Sequence, residues 1–210
     1  MRRDTSLKII SALEAFYGDA QPGLVFRNNY ELTVAVVLSA QTTDRQVNGV
    51  TGRLFSNYPD FASLARARQS DVEKIIKSTG FYRVKASNII ALAAMVMEKF
   101  GGLLPQNVDE LMELPGVGKK SANVILSVGY DKPALAVDTH VSRIARRLGY
   151  TESSNPLKVE HDLCAVISPD DWKKTHLLFI RHGRSTCTAR NPRCTACVIS
   201  RWCRHFNASA

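Results

Sequence analysis

At 210 residues, 45% of them hydrophobic, the chain has material for one sizeable core or two small lobes sharing an interface. A formal charge of +9 and a pI near 9.5 point toward a polyanionic partner. No apolar run approaches the roughly 20 residues of a membrane span, and Met1-Arg2-Arg3-Asp4-Thr5-Ser6-Leu7-Lys8 carries neither a signal-peptide core nor a transit segment, so a cytoplasmic, most simply bacterial, protein is expected.

Leu7, Ile10, Leu13 and Phe16 recur at helical spacing and predict an amphipathic helix over 5–17, broken by Gln21-Pro22-Gly23. Asn29 is placed to cap the next segment, Tyr30 to Ser39. Its β-branched run resembles a buried strand, but its neighbours read as helices and no partner strand is evident. Ser39-Ala40-Gln41-Thr42-Thr43-Asp44 reads as a helix C-terminus followed by a cap. A helix runs from Asp44 to about Tyr58, where Pro59 ends it; Asp60 caps 61–67, and Ser70-Asp71-Val72-Glu73 is a capping box. After the turn at Gly80, a long helix runs through Phe100 with Ile89, Leu92, Val96 and Phe100 on its core face. Phe81 and Tyr82 open it beside Arg83 and Lys85. This mixture suits either an aromatic packed under the turn or an apolar wedge between bases with cations on phosphates.

Asn107 caps a short helix through Glu113, with Glu110 at the reciprocal position. Leu114-Pro115-Gly116-Val117-Gly118 is then a tight turn into a second helix, whose Ser121, Val124, Ile125 and Val128 keep helical spacing. The glycines permit positive φ and leave the backbone uncovered. Amides there, followed by the positive end of a helix, make a natural seat for an oxyanion such as a DNA phosphate. Lys119 aligns with Asn123 and Ser127 on a face that reads as polar, whereas Lys120 aligns with Val124 at the edge of the apolar stripe. An amine in a first turn, half out of water, is pushed toward the pKa of roughly 7–8 that a nucleophilic lysine needs. The plainer reading is a lysine pair gripping phosphates. Asp138 follows the apolar Ala134–Val137 and precedes Val141, Ile144 and Leu148, so it caps a helix. Accepting helix amides favours a carboxylate's ionised form, which suits work beside a developing sugar cation. Asn155-Pro156 and Ser168-Pro169 start further helices, the last over about 170–185. The five histidines show no metal-ligand spacing; His140 stands beside Asp138 and could line a pocket. Gly116-x-Gly118 has neither the third glycine nor the preceding strand of a dinucleotide site. The chain reads as all-α.

Cys187, Cys194, Cys197 and Cys203 stand as C-x6-C-x2-C-x5-C. Such density in a cytosolic chain signals a metal site, and thiolates alone allow zinc or an iron–sulfur cluster. A zinc site more often pairs two CxxC knuckles, and here there is one. Cys164 stands apart and reads as a buried thiol.

The run Leu114-Pro115-Gly116-Val117-Gly118-x-Lys120-x-Ala122, then Ala136-Val137-Asp138-Thr139-His140-Val141-x-Arg143 and the four cysteines, resembles the helix-hairpin-helix DNA glycosylases of the endonuclease III family along nearly the whole chain. The resemblance implies two lobes with the DNA groove between them. One is a six-helix lobe over 22–132; the other, a cluster lobe, joins 1–21 to 133–210 and carries a [4Fe-4S] cluster loop at 187–203. It makes Lys120 the nucleophile and Asp138 its partner. Gln41 would fill the gap left by the extruded base, and Phe81, with Tyr82, would enter the duplex. Gly116, Val117, Gly118, Lys119, Arg143, Arg190 and Arg193 would contact DNA. The implied function is excision of oxidised or ring-saturated pyrimidines from damaged double-stranded DNA, followed by β-elimination 3′ to the abasic site. The expected protein is monomeric, free of membranes and nucleoid-associated. Two alternatives stand beside it. Adenine glycosylase relatives typically lack a lysine at this position and carry an extra C-terminal domain, whereas this sequence stops at Ala210; a non-catalytic hairpin module would need neither Lys120 nor Asp138.

Overall fold

A computed structural model describes residues 1–208, and among these there is no strand. Twelve α-helices follow in order. They are α1 (Arg3–Tyr17), α2 (Asn29–Leu38), α3 (Asp44–Asn57), α4 (Phe61–Ala65), α5 (Gln69–Ile76) and α6 (Tyr82–Lys99). Then come α7 (Val108–Glu113), α8 (Lys119–Val124), α9 (Thr139–Leu148), α10 (Pro156–Cys164), α11 (Trp172–Ser185) and α12 (Arg204–Asn207). The chain divides into two compact units, Pro22–Lys132 and Met1–Gln21 with Pro133–Ala210.

In the first unit, α2 is the hub. Every residue from Tyr30 to Leu38 is buried, including Glu31 and Thr33. A helix apolar on all sides belongs inside a core, and α3, α6 and α8 pack around this one. Burying each of its valines and leucines is worth ~1.5–3 kcal/mol, enough to override their β-propensity. Its cap is Asn28, which accepts from Glu31 N at 2.9 Å, one residue earlier than expected. Glu31 reaches back to Arg27 instead. The expected Ser70 capping box does not form: α5 starts at Gln69, Gln69 holds Glu73 at 2.8 Å, and Asp71 pairs with Lys74 at 2.8 Å.

In the second unit, α1 and α9 both pack against α11. Their core includes Ile9, Leu13, Val141, Ile144, Leu148 and Phe179. The extended segment Ala134–Val137 runs buried through it. The Ala136 carbonyl lies 2.7 Å from Nδ1 of buried His176, an anchor that delivers the next residues to the start of α9. The Ser168-Pro169 signal opens a 3-10 turn, Pro169–Asp171, before α11.

Candidate functional site

The hairpin between α7 and α8 is pinned by apolar anchors: Leu111, Leu114 and Val117 are all buried. Asn107 caps α7 by accepting from Glu110 N at 2.9 Å. The two turn glycines do different work. Gly116 has φ +81, and a Cβ there would meet Val37 Cγ1 at 2.9 Å and the Asn88 side chain at 3.1 Å. Gly118 has φ −97 and open space where a Cβ would stand. It caps α8 with no side-chain hydrogen bond to the first-turn amides. We therefore expect Gly116→Ala to cost at least about 2 kcal/mol in thermal unfolding, from strain plus overlap. Gly118→Ala should melt normally, because its φ suits any residue and nothing stands within 4 Å of the added methyl.

Lys119 and Lys120 occupy the first turn of α8, and both are half-buried. The face shared by Lys119, Asn123 and Ser127 is not a solvent face. Asn123 and Ser127 are buried, and Ser127 Oγ donates to the Asn123 carbonyl at 2.7 Å. Exposure alone thus does not separate the two lysines.

Two tips project from the same unit. Gln41 is exposed with φ +52, and Phe81 is 68% exposed with φ +46. Left-handed backbone at a non-glycine residue costs roughly 1–3 kcal/mol and persists only where its surroundings enforce it. Phe81 is not tucked under its turn. Tyr82 behind it is half-buried, with the Arg83 guanidinium 5.1 Å from its ring centre. Lys85 departs from expectation: it is 4% exposed and turned inward, not toward phosphates.

In the other unit, Asp138 caps α9, its Oδ1 accepting from Val141 N at 2.8 Å. It lines an open cleft of about 770 Å³ rich in arginine (Arg143, Arg146, Arg147 and Arg204). His140, two residues on, has its pKa lowered, first by burial and then by Arg143 and Arg184, against the pull of Asp138. Arg143 bonds inward: Nε to the Cys187 carbonyl at 3.1 Å and Nη2 to the Gly183 carbonyl at 2.9 Å. One turn later, Arg147 Nη1 donates to Cys187 Sγ (3.2 Å) and the Thr188 carbonyl (2.8 Å). The helix that Asp138 caps is therefore also the helix that grips the cysteine loop.

The four thiols line one small cavity with Ile144, Leu148, Ile199 and Phe206. Neither they nor Cys164 form a disulfide. His182 Nε2 stands 3.6 Å from Cys197 Sγ, and its Nδ1 meets the Tyr17 hydroxyl at 2.9 Å. Burial pushes the Cys197 and Cys203 thiols up, and the neighbouring cysteines add to it. Four groups so placed could all ionise only around a cationic centre, the condition under which cysteines ligate a metal. Among the described residues no three His, Cys, Asp or Glu side chains close on a point for a single metal ion; the thiols ring a space instead. Arg190 is exposed, while Arg193 turns Nη2 onto the Ser185 carbonyl at 2.5 Å.

Residues 34–169 match the family model of the HhH-GPD superfamily base excision DNA repair proteins. Residues 187–203 match the iron–sulfur binding domain of endonuclease III. Endonuclease III of Synechocystis sp. is 40% identical over 209 residues, covering 99% of this chain and 95% of the relative. That of Bacillus subtilis is 45% identical, covering 88% and 85%. The chain belongs to the endonuclease III family. A solved structure of an endonuclease III trapped as a covalent intermediate with DNA agrees in fold, with TM-score 0.93 and 41% identity over 100% of this chain and 99% of that one.

As an endonuclease III family member, the chain is a DNA-binding base excision repair enzyme, a DNA glycosylase/AP lyase, and its cofactor is a [4Fe-4S] cluster. The thiol-lined cavity fits that group. Sequence reasoning missed Lys85, Arg147 and His182. For Lys85 a signal existed, since stepping back four residues from Ile89 along the core face lands on it.

Proposed function

We propose that Lys120 is the nucleophile and Asp138 the assisting carboxylate in removing oxidised or ring-saturated pyrimidines from damaged double-stranded DNA. One observation carries the reading: a relative 41% identical over the whole chain forms a covalent intermediate with DNA, and this chain offers a half-buried amine in the first turn of the hairpin's second helix. The helix dipole disfavours positive charge at that turn, which promotes the neutral amine. The target nucleotide is first rotated out of the stack. The Lys120 amine attacks C1′, and the glycosidic bond breaks with its electron pair leaving on the base, which takes a proton. Asp138 stabilises the cationic sugar. Opening of the sugar ring gives the Schiff base; loss of a C2′ proton then expels the 3′ phosphate, and hydrolysis of the imine frees the lysine.

Other groups hold the duplex. Backbone amides of Gly116, Val117 and Gly118, with Lys119, take phosphates, as do Arg190 and Arg193 on the cysteine loop. Gln41 and Phe81, backed by Tyr82, enter the stack. Arg143, whose donors face carbonyls, tethers rather than touches DNA. Cys187, Cys194, Cys197 and Cys203 hold the [4Fe-4S] cluster, which when bound cross-links the loop and fixes its cations. The unit of Pro22–Lys132 is read as the hairpin lobe and the other unit as the cluster lobe, a reading the division of the chain supports. A monomer in the bacterial cytoplasm, at the nucleoid, suits the basic charge. No helix among the described residues is long and apolar enough to cross a membrane.

A duplex containing thymine glycol, incubated with the protein, should be cut 3′ to the lesion. Base release without strand scission would identify a monofunctional glycosylase, and binding without release a recognition module.

A further inference from the structure

Three observations converge on the base of the two exposed tips. Lys85 is buried, and its ammonium donates to the Thr79 carbonyl (2.8 Å) and to Thr42 Oγ1 (2.5 Å). Thr42 Oγ1 in turn donates to the same Thr79 carbonyl (2.5 Å). The side chain thus touches both loops, the one before α3 at Thr42 and the one before α6 at Thr79, while the Lys85 N–H makes the first helical bond of α6 to the Phe81 carbonyl at 3.0 Å. The residues flanking this knot, Gln41 next to Thr42 and Phe81 two after Thr79, are two of the three non-glycine residues with positive φ among those described.

No carboxylate is among these partners of Lys85, and burial lowers its pKa. A buried lysine bound only to neutral oxygens is a costly way to fill space, since an apolar side chain of similar volume would fill it without desolvating an ammonium. What the lysine supplies and an apolar residue cannot is a charged third member that clamps the Thr42–Thr79 hydrogen bond between two loops far apart in sequence.

We infer that Lys85 is a positioning residue that couples Gln41 and Phe81 into a single two-pronged wedge for duplex DNA. The inference rests on the reading that these two tips enter the duplex. The link fixes their separation and keeps each in its left-handed conformation before DNA arrives, so both insert as one body rather than independently.

The test uses the full-length, cluster-loaded protein and duplexes carrying a tetrahydrofuran abasic analogue beside 2-aminopurine, whose fluorescence reports insertion. Gln41→Ala and Phe81→Ala, singly and together, are measured in wild-type, Lys85→Met and Thr42→Val backgrounds. Thr42→Val breaks the link from its other end should Lys85→Met fold poorly. With the link intact, the two tip substitutions should be non-additive by at least about threefold. In Thr42→Val, which removes both cross-loop bonds of Thr42, their effects should become independent, and in Lys85→Met, which leaves the Thr42–Thr79 bond unclamped, the non-additivity should shrink. Lys85→Met should keep or raise the melting temperature and retain affinity for undamaged duplex while inserting more slowly. Non-additivity that persists unchanged in both broken backgrounds overturns the coupling. So does a Lys85→Met protein that loses thermal stability and undamaged-duplex binding in step with insertion. If neither tip substitution alters insertion in any background, the wedge reading itself falls, and the coupling falls with it.

Discussion

Lys120→Ala should yield a folded protein that still grips damaged duplex but forms no borohydride-trapped adduct. The side chain is half-buried in the first turn of α8, where alanine is a good helix former, so the fold loses little. The chemistry loses the amine that attacks C1′, and strand scission should fall by roughly 10³-fold or more. Lys119→Ala is the necessary companion, because both lysines are half-buried and that shared half-burial does not choose between them. If Lys119 grips a phosphate, its removal should weaken binding across sequences and reduce the salt slope by about one, with trapping intact. Trapping that survives Lys120→Ala and vanishes in Lys119→Ala would reassign the nucleophile to its neighbour.

The features legible in the sequence were those whose partners lie within a turn. Asp138, Asn107, Asp60 and Asn155 each cap the helix they precede, because a cap bond spans only two or three residues. The four cysteines were equally plain, since their spacing already states their chemistry. Ser70 shows the limit of this logic. Its box is out-competed by neighbouring side chains, Gln69 with Glu73 and Asp71 with Lys74, whose pairing a motif does not report. Long-range contacts were illegible. Arg143 read as a DNA-contacting cation and Arg147 drew no reading, yet both turn onto carbonyls more than 35 residues away in sequence. Lys85 looked like another, and the knot that buries it joins the segment before α3, at Thr42, and the segment before α6, at Thr79, to α6 itself. Gln41 and Phe81 hold positive φ that no local rule would assign to them.

Asp138→Asn offers the sharper dissection of the second catalytic residue, because its two proposed jobs respond differently. As a cap, asparagine is as good as aspartate, and its side-chain oxygen can accept from Val141 N as Asp138 Oδ1 does at 2.8 Å. The melting temperature should therefore hold, whereas Asp138→Ala should lose about 1 kcal/mol. As a charge beside the developing sugar cation, the amide is a poor substitute, and single-turnover excision should fall by roughly 10²–10³-fold. Duplex affinity should be unchanged or improved, since a negative charge facing phosphates is gone. A normal excision rate in Asp138→Asn would leave the aspartate as a cap alone. Because α9 also holds the cysteine loop through Arg143 and Arg147, Asp138→Ala alone would confound lost charge with a frayed helix start. The asparagine variant separates them: it keeps the start of α9 in place while removing only the carboxylate's charge.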